Sequence, residues 1–353
     1  MTTTQIPSYN ELIKKSIQDH WSMDSMSDYG LFTFQYKDVA RIIEKMHILF
    51  EHAGVKPGDK IALCSRNLSR WGAAFFSIIT YGAVAVPILH EFHPSQVHDI
   101  VNHSESKILF VGDKVWPNLD ANEMPGLQGI ISLVDYSLLH SRSEELTSAR
   151  ENLNKLFGEK FPDRFLPECL NYHKDQPNEL AVINYTSGTT SNSKGVMIPY
   201  RALWSNLDFA INELGHEIKA GDKVLSMLPM AHMYGMSFEF LFEFMHGVHV
   251  NFLTKVASPT ILMKALADVK PVIVVAVPLI IEKIYNSQIL GKFTANKFMK
   301  TLYGVGPIRR FLHRIAGKKL NKAFGGRARL FIGGSKLDAE VEQFLLDANF
   351  IYD

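Results

Sequence analysis

One stretch of the sequence combines hydroxyl, glycine and lysine residues in an order suited to binding phosphate. It runs Tyr185-Thr-Ser-Gly-Thr-Thr-Ser-Asn-Ser-Lys-Gly-Val196 and directly follows the apolar run 180–183. Backbone N–H groups can converge on an anion only where side chains are small, as at Gly188 and Gly195. The hydroxyls donate hydrogen bonds without adding charge, and the lysine adds a positive charge that can reach phosphate oxygens. The stretch therefore predicts a phosphate-binding loop after a buried strand, and the alternative is a solvated Ser/Thr-rich surface turn.

The loop differs from two common phosphate-binding patterns. A Walker A loop reads G-x-x-x-x-G-K-[ST], whereas here Ser193 precedes the lysine and Gly195 follows it. No G-x-G-x-x-G dinucleotide pattern occurs at the loop either. The prediction therefore depends on the donor set itself. The predicted donors are Thr186, Ser187, Gly188, Thr189, Thr190 and Lys194.

The order of these donors resembles the phosphate loop of the acyl-adenylate-forming (AMP-binding) enzymes, which include acyl-CoA synthetases, amino-acid-adenylating domains and luciferases. The family pattern reads T-S-G-T-T-G-x-P-K-G. This chain has Ser191 where the family usually has glycine and Ser193 where it usually has proline. Ser191 restricts the backbone and Ser193 frees it, while the donor set is unchanged.

Other segments resemble the same family, in the same order, from about Phe34 to the last residue. They are 55–62, Asn67, Trp71, 81–87, 228–235, 277–278, 282–285 and 331–337. The resemblance implies an α/β fold of two helix-flanked, mainly parallel sheets packed as α-β-α-β-α layers. It also implies an N-terminal adenylation domain over 1–353, with approximate subdomains 61–229 and 1–60 plus 230–353.

The resemblance also implies a two-step reaction. In the family's first half-reaction a carboxylate attacks the α-phosphorus of ATP, and coenzyme A then accepts the acyl group. Thr186 and Lys194 would act with the other loop donors on the phosphates, and Mg²⁺ would accompany ATP. By the same resemblance, Gly334, Ser335 and Lys336 would lie along the adenine. The alternative for the two glycines at 333 and 334 is an ordinary turn at the end of a strand.

His232 is the candidate for the acyl site, because the matching family histidine lies beside the acyl carboxylate and the path of the incoming thiol. Met236 lies one helical turn beyond it and is expected to face the acyl channel, with Val277 as a further lining residue. A histidine in an apolar segment is otherwise more often a core residue, and methionine stripes are more often plain core. The remaining histidines show no H-E-x-x-H zinc pattern, so no metal site is predicted from protein residues alone.

The last residue, Asp353, corresponds to the family position just before a Tyr-Gly-x-Thr-Glu segment, whose glutamate helps to hold Mg²⁺. We therefore expect the chain to represent roughly the first two-thirds of such an enzyme. The C-terminal lid domain and its adenylation lysine would be missing, and the fragment would have negligible activity alone.

A long interval of the chain is unusually basic. Residues 283–337 contain no acidic residue but hold 13 of the 37 lysines and arginines. Within it, Ile308, Phe311, Leu312 and Ile315 have helical spacing. A basic amphipathic helix can lie on an anionic membrane surface or attract an anionic nucleotide, and the alternative is a surface helix packed on its own domain.

The resemblance is closest to long-chain fatty acid:CoA ligases, which carry an extended basic segment at this point. The predicted partners are therefore fatty acid, ATP and coenzyme A, with peripheral membrane contact through 292–329. The alternatives are adenylation of an aryl, medium-chain or amino acid, or a non-catalytic nucleotide- or acyl-binding module.

Composition agrees with a globular enzyme. The chain is 46% apolar and 21% charged, and its net charge of +1 argues against nucleic acid as the main partner. Cys64 and Cys169 cannot define a disulfide framework. No signal-peptide pattern starts the chain, and no apolar run reaches the ~20 residues that span a bilayer. A cytoplasmic location is expected, with the membrane contact at the inner surface.

The pattern of strands and helices predicts the elements that would position these residues. Strands are expected at 60–64, 83–88, 107–111, 223–228, 249–253, 272–277 and 330–332, with helices at 36–54, 71–81, 97–104 and 200–214. Such alternation is typical of α/β units with a mainly parallel sheet. The polar segment 136–165 is expected to be an irregular excursion.

Overall fold

The computed structural model describes residues 6–186, 194–255, 258–326 and 328–352. The strands are β1 Asp24–Asp28, β2 Thr33–Gln35, β3 Lys60–Cys64, β4 Val84–Ile88, β5 Ile108–Val111, β6 Gly129–Ser132, β7 Leu138–Ser141, β8 Leu180–Thr186, β9 Lys194–Pro199, β10 Lys223–Ser226, β11 His249–Phe252, β12 Ile273–Ala276 and β13 Arg329–Ile332.

The helices surround these strands. They are α1 Tyr9–Asp19, α2 Tyr36–His52, α3 Ser69–Tyr81, α4 Pro94–His103, α5 Glu144–Glu151, α6 Leu153–Lys160, α7 Tyr200–Leu214, α8 Met233–Met236, α9 Phe242–Met245, α10 Pro259–Val269, α11 Pro278–Ile284, α12 Gly291–Phe293, α13 Lys297–Tyr303, α14 Gly306–Ala323 and α15 Ala339–Asp347. A π-helical turn, Ser237–Leu241, joins α8 to α9. Across the described ranges, no helix combines the length and apolar character needed to cross a bilayer.

The first sheet has seven strands in the order β7-β6-β5-β3-β4-β8-β9. The five inner strands run parallel to one another; they are β6, β5, β3, β4 and β8. The edge strands β7 and β9 are antiparallel to their neighbours. The second sheet has the order β10-β11-β1-β2, and β12 pairs with β13 in a short parallel sheet beside it. The Val272 N–H donates to the Lys223 carbonyl at 3.0 Å and so connects the short sheet to β10.

Successive side chains of a strand point to opposite faces of its sheet, so each sheet contributes side chains to two different cores. Ile61 and Leu63 on β3 face the central core, which contains α2 and α3, whereas Ala62 and Cys64 face the core beneath α4. On β12, Val275 faces the central core and Val274 faces a third core. Helices thus cover both outer faces and fill the space between the sheets. The expected mainly parallel α/β fold with α-β-α-β-α layers is confirmed.

Most predicted elements form within a few residues of their expected bounds, but two expectations change. The segment 136–165 is not irregular, because it forms β7, α5 and α6. Leu146, Ala149 and Leu153 on these helices are buried in the central core, which gives a segment with little periodicity enough apolar surface to order it. In addition, β10 pairs with β11 in the second sheet, although the predicted subdomain 61–229 placed it with the first.

Candidate active site

The phosphate-loop prediction falls at the loop end of the β8–β9 hairpin. Thr186 ends β8 and Lys194 begins β9, and these two residues are antiparallel partners with exposed side chains. The predicted donors Ser187, Gly188, Thr189 and Thr190 lie outside the described residues. The described structure therefore places the first hydroxyl and the lysine of the predicted set side by side, at the end of a strand whose body is buried.

A buried asparagine connects this hairpin to the segment that carries the candidate acyl-site histidine. Asn184, on β8, donates from its amide nitrogen to the Ala231 carbonyl at 2.8 Å. Ala231 directly precedes His232. The base of the phosphate hairpin and the backbone of the predicted acyl site are therefore held together by one hydrogen bond.

Two further side chains fix the loop 227–231, which leads from β10 to His232. Asn67 donates to the Leu228 carbonyl at 2.6 Å and accepts from the Met230 N–H at 2.9 Å. Glu239 accepts from the N–H groups of Met227 and Leu228 at 2.9 and 2.8 Å. Burial raises the pKa of Glu239 well above its ordinary value, against the lowering effect of these backbone donors.

His232 is exposed and is the N-cap residue of α8, where its Nδ1 accepts a hydrogen bond from the Tyr234 N–H at 3.3 Å. Its side chain is therefore an N-cap at the surface, and the core-histidine alternative does not apply. Met236, which was expected to line an acyl channel, is fully buried in the central core. No cavity identified among the described residues is lined by Met236.

Tyr234 connects this segment to the predicted adenine turn. Its hydroxyl donates to the Phe331 carbonyl at 3.3 Å, and its ring stacks on the Phe331 ring at a centroid distance of 6.5 Å. Burial, with a smaller effect of Glu239, raises the pKa of Tyr234 to about 12, so the hydroxyl stays protonated. The tyrosine therefore fixes the end of β13 against the start of α8.

Gly333 is required where the Tyr234 hydroxyl approaches the turn. A Cβ at this position would lie 2.7 Å from the hydroxyl oxygen, which is well inside van der Waals contact. The following residue, Gly334, has φ +95, a backbone conformation that side chains with a Cβ rarely adopt. These two glycines give the turn a shape that other residues would strain.

We predict that Gly333→Ala displaces the Tyr234 hydroxyl and lowers the free energy of unfolding by about 1–2 kcal/mol. Chemical denaturation of the single variants and of the Gly333→Ala, Tyr234→Ala double variant measures this effect. Because the nearest atoms are the hydroxyl oxygen and the ring carbon Cζ of Tyr234, Gly333→Ala should cost less in the Tyr234→Ala background, which removes both. An equal cost in both backgrounds would contradict the predicted contact.

Val277 lies beside the glycine turn, next to the other predicted site segments. It precedes α11, and a Cβ at Gly334 would lie 3.5 Å from its Cγ1, so its side chain lies against the turn. Val277 is half-buried, whereas Gly334, Ser335 and Lys336 are exposed. An apolar side chain beside an exposed backbone turn could contact the flat face of a planar ring.

The predicted site residues thus come from the carboxyl ends of β8, β10, β12 and β13. In α/β sheets, ligands bind outside the carboxyl ends of the strands. The arrangement joins a hydroxyl and a lysine at one hairpin, an exposed imidazole, and a glycine turn beside an aliphatic side chain. Such a set could bind an anion, a carboxylate and a planar ring next to one another.

Two cavities open near strands of the first sheet. The larger, about 720 Å³, is on the outer face of the first sheet and is lined by Ile183, Tyr185 and Met197, among others. A smaller cavity of about 180 Å³ lies at the carboxyl ends of β3, β4, β10 and β11 and is lined partly by Asn67 and Pro229. We assign the candidate site to the place where the β8–β9 hairpin, the His232 segment and the Gly333–Gly334 turn meet. The larger cavity is not part of it, because that cavity lies on the opposite side of β8–β9 from any predicted acyl residue.

Of the residues that position the site, the sequence singled out only Asn67, as part of the family resemblance and without a role. Asn184 and Glu239 were not singled out, and Tyr234 was read only as part of a longer segment. An asparagine inside an apolar strand and a glutamate inside the apolar helix 236–245 are the signals that could have indicated them, because buried polar groups require partners. Among the described residues, no group of three or more histidine, cysteine, aspartate or glutamate side chains could hold a metal ion.

Comparison with known proteins agrees with this geometry. A family model described as AMP-binding enzyme matches residues 19–352 of the chain. The chain belongs to the AMP-binding enzyme family. It is similar to long chain acyl-CoA synthetase 1 of Arabidopsis thaliana, with 25% identity over 347 residues, covering 88% of this chain and 49% of that protein.

Two solved structures share the fold. The N-terminal domain of FACL13 from Mycobacterium tuberculosis superposes with a TM-score of 0.72 at 16% identity, covering 98% of this chain and 74% of that one. The anthranilate CoA ligase AuaEII, solved with anthranoyl-AMP, gives 0.72 at 14% identity, covering 98% and 59%. The chain therefore spans about half the length of the curated relative it matches.

Proposed function

We propose that this chain is the nucleotide- and acyl-binding portion of a long-chain fatty acid:CoA ligase. In the complete enzyme, a carboxylate oxygen of the fatty acid attacks the α-phosphorus of ATP, and pyrophosphate leaves. The thiol sulfur of coenzyme A then attacks the acyl carbonyl, loses its proton, and AMP leaves. The observation that carries the proposal is the convergence of the β8–β9 hairpin, the His232 segment and the Gly333–Gly334 turn.

Each residue has a role in this proposal that follows from its position. Thr186 and Lys194 donate to the phosphates, because their side chains are exposed at the end of the hairpin. His232 lies beside the carboxylate and the thiol path. Val277 and the turn at Gly334, continued by Ser335 and Lys336, contact the adenine, with Gly334 allowing close approach of the backbone.

Mg²⁺ would enter this site with ATP. The described residues offer no cluster of ligands for the ion, so the phosphates themselves and water would supply most of its oxygen ligands. When bound, the ion neutralises charge on the phosphates.

The long-chain assignment is supported by the long-chain name of the Arabidopsis relative and by the basic interval 283–337. An aryl acid is a second candidate substrate, because the anthranilate ligase superposes on the chain as well as the FACL13 domain does. Met236, buried as it is, gives no open channel that would distinguish an alkyl from an aryl acid. A non-catalytic nucleotide- or acyl-binding module is the third alternative.

Calorimetric titration with Mg·ATP tests the nucleotide site. We expect the wild-type chain to bind, and Thr186→Ala with Lys194→Ala to weaken binding by about ten- to hundredfold through the loss of a hydroxyl donor and a charge. Lys174→Ala, which removes another exposed lysine, is the matched control and should leave binding unchanged. Binding that survives the double substitution in a folded protein would refute the assignment of this hairpin.

The substrate class is tested separately by thermal stabilisation. A ligand that binds only the folded state raises the melting temperature with its concentration. In the presence of Mg·ATP, we expect palmitate to raise it more than anthranilate or a medium-chain acid. Greater stabilisation by anthranilate would replace the long-chain assignment with the aryl one while leaving the nucleotide site intact.

A further inference from the structure

A polar cavity of about 210 Å³ opens between α13, α14, α15 and the π-helical turn that follows α11. Besides Ala339, its lining consists of side chains that form hydrogen bonds or carry charge: Tyr285, Tyr303, Arg309, His313, Glu340 and Gln343. None of these is a predicted residue of the candidate active site. The cavity is therefore a separate feature of the protein.

A chain of hydrogen bonds forms one wall of this cavity. The Tyr285 and Tyr303 hydroxyls lie 2.8 Å apart, and the Tyr303 hydroxyl lies 2.7 Å from Nε2 of His313. Nδ1 of His313 lies 2.8 Å from one carboxylate oxygen of Asp347, and Gln343 donates from Nε2 to the other oxygen at 3.0 Å. Because these side chains come from four elements, the chain of bonds fixes the arrangement of the wall.

The direction of each proton in this chain follows from Asp347. A carboxylate accepts hydrogen bonds and donates none, so Nδ1 of His313 is the donor to it. Burial lowers the pKa of His313, against the raising effect of Asp347, so the ring is neutral at neutral pH and its Nε2 accepts from the Tyr303 hydroxyl. The Tyr303 oxygen in turn accepts from the Tyr285 hydroxyl.

These directions leave unused acceptors at the cavity. Tyr285 has committed its proton to Tyr303, so only its oxygen lone pairs can meet a ligand. Gln343 has committed its amide nitrogen to Asp347 and keeps its carbonyl oxygen as an acceptor. The exposed carboxylate of Glu340 is a third acceptor on the same lining. A primary ammonium group carries three N–H donors and no acceptor, so it is complementary to this set.

Arg309 adds the opposite charge to the lining. It lies on α14, and Glu340 lies on α15. Within the part of the chain that the structure describes, neither side chain forms an ion pair with the other or with another charged group. Burial is the main cause that raises the pKa of Tyr285, and of these two charges Glu340 raises it while Arg309 lowers it, so both act on the same hydroxyl.

Two opposite charges that border one cavity without pairing are complementary to a ligand that carries both charges. A guanidinium beside the three acceptors disfavours a metal cation there, because the two positive charges repel each other. The same guanidinium matches the geometry of a carboxylate, to which it can donate two hydrogen bonds.

We propose that this cavity binds a small zwitterion of the α-amino acid class, with a primary ammonium and a carboxylate. The ammonium donates to Glu340, to the Tyr285 oxygen and to the Gln343 carbonyl, and the carboxylate accepts from Arg309. Ala339 and the tyrosine ring contact a short aliphatic side chain. The volume is below the roughly 300–1,000 Å³ typical of drug-sized ligands, which limits the ligand to a small molecule. The proposal does not depend on the adenylation function.

Titration of the full 353-residue chain with L-valine, followed by amide chemical shifts, tests the proposal. We expect saturable shifts in α13, α14 and α15. Two analogues that each lack one charge should bind at least tenfold more weakly: 3-methylbutanoate, without the ammonium, and isobutylamine, without the carboxylate. Glu340→Gln and Arg309→Gln should each weaken L-valine binding by about tenfold or more. Both positions are exposed, so thermal melts should show the variants folded.

Matched controls are Glu342→Gln and Arg310→Gln, which change exposed residues of the same types on the same two helices but outside the cavity lining. These variants should bind L-valine as the wild type does. No saturable shift in the three helices, equal binding of L-valine and both analogues, or an equal loss in the controls would each overturn the proposal. Tighter binding of 3-methylbutanoate than of L-valine would also overturn it and would indicate a simple anion site at Arg309.

Discussion

Asn67→Ala is expected to lower the free energy of unfolding by about 2–5 kcal/mol. The asparagine is buried and forms hydrogen bonds with both the Leu228 carbonyl and the Met230 N–H. Alanine satisfies neither group. Because Leu228 and Met230 are themselves buried, the cost includes leaving two backbone groups without their protein partners as well as the loss of two hydrogen bonds. Urea denaturation followed by circular dichroism measures it.

The same substitution should also disturb the segment that leads to His232. We expect hydrogen exchange of the amides at 228–236 to accelerate more than exchange in β3 or β4, because the loop loses one of the three side chains that hold it. Asn102→Ala is the control, since Asn102 is exposed and donates to a single carbonyl, that of Glu123. A loss below about 1 kcal/mol for Asn67→Ala would show that the loop is held mainly by Glu239 and Asn184.

Glu243→Gln is expected to change how stability depends on pH. Glu243 is buried on α9, and neither carboxyl oxygen meets a partner at hydrogen-bonding geometry. Burial raises its pKa to about 8, and its own backbone N–H acts in the opposite direction. The native protein therefore keeps the proton at neutral pH, while the unfolded chain releases it at an ordinary glutamate pKa of about 4.3.

The direction in which stability changes with pH follows from which state binds the proton. Below the unfolded-state pKa both states are protonated, and the contribution of Glu243 to stability is fully present. As the pH rises towards about 8 only the unfolded state loses the proton, so the wild type loses stability and Glu243→Gln does not. Between about pH 4.5 and pH 8.5, the stability of the variant should improve relative to the wild type by about 3–5 kcal/mol.

Thermal and urea unfolding across this pH range measures the difference. Glu151→Gln is the matched control, because Glu151 is exposed, and its curve should run parallel to that of the wild type. Parallel curves for Glu243→Gln as well would mean that the carboxyl is ionised in the native protein.

The sequence by itself determined the fold class and the location of most elements. Strand 60–64 forms at the predicted bounds, and helix 36–54 ends two residues early at His52. These elements were predictable because apolar periodicity and the following turn residues report local burial directly. The donor order at the β8–β9 hairpin likewise identified the family before any fold was known, since a phosphate loop is a short, contiguous motif.

The tertiary structure alone decided how the site is held together. Asn67 and Met230 are 163 residues apart in the chain, and no local pattern predicts that pairing. Asn184 joins β8 to the loop after β10, and Tyr234 joins the start of α8 to the end of β13, and these segments are neighbours only after the sheets have packed. A buried polar residue in a sequence shows that a partner is needed, but folding decides which partner it finds.

The same distinction applies to α14. The sequence predicted the stripe of Ile308, Phe311, Leu312 and Ile315 and left open whether it packs on the protein. His313, paired with Asp347 and Tyr303, turns another face inward and leaves Phe311 exposed. Periodicity shows that a helix has an apolar face. Only the contacts from neighbouring elements determine which face is buried, because the free energy of burial belongs to the pair of surfaces and not to the helix alone.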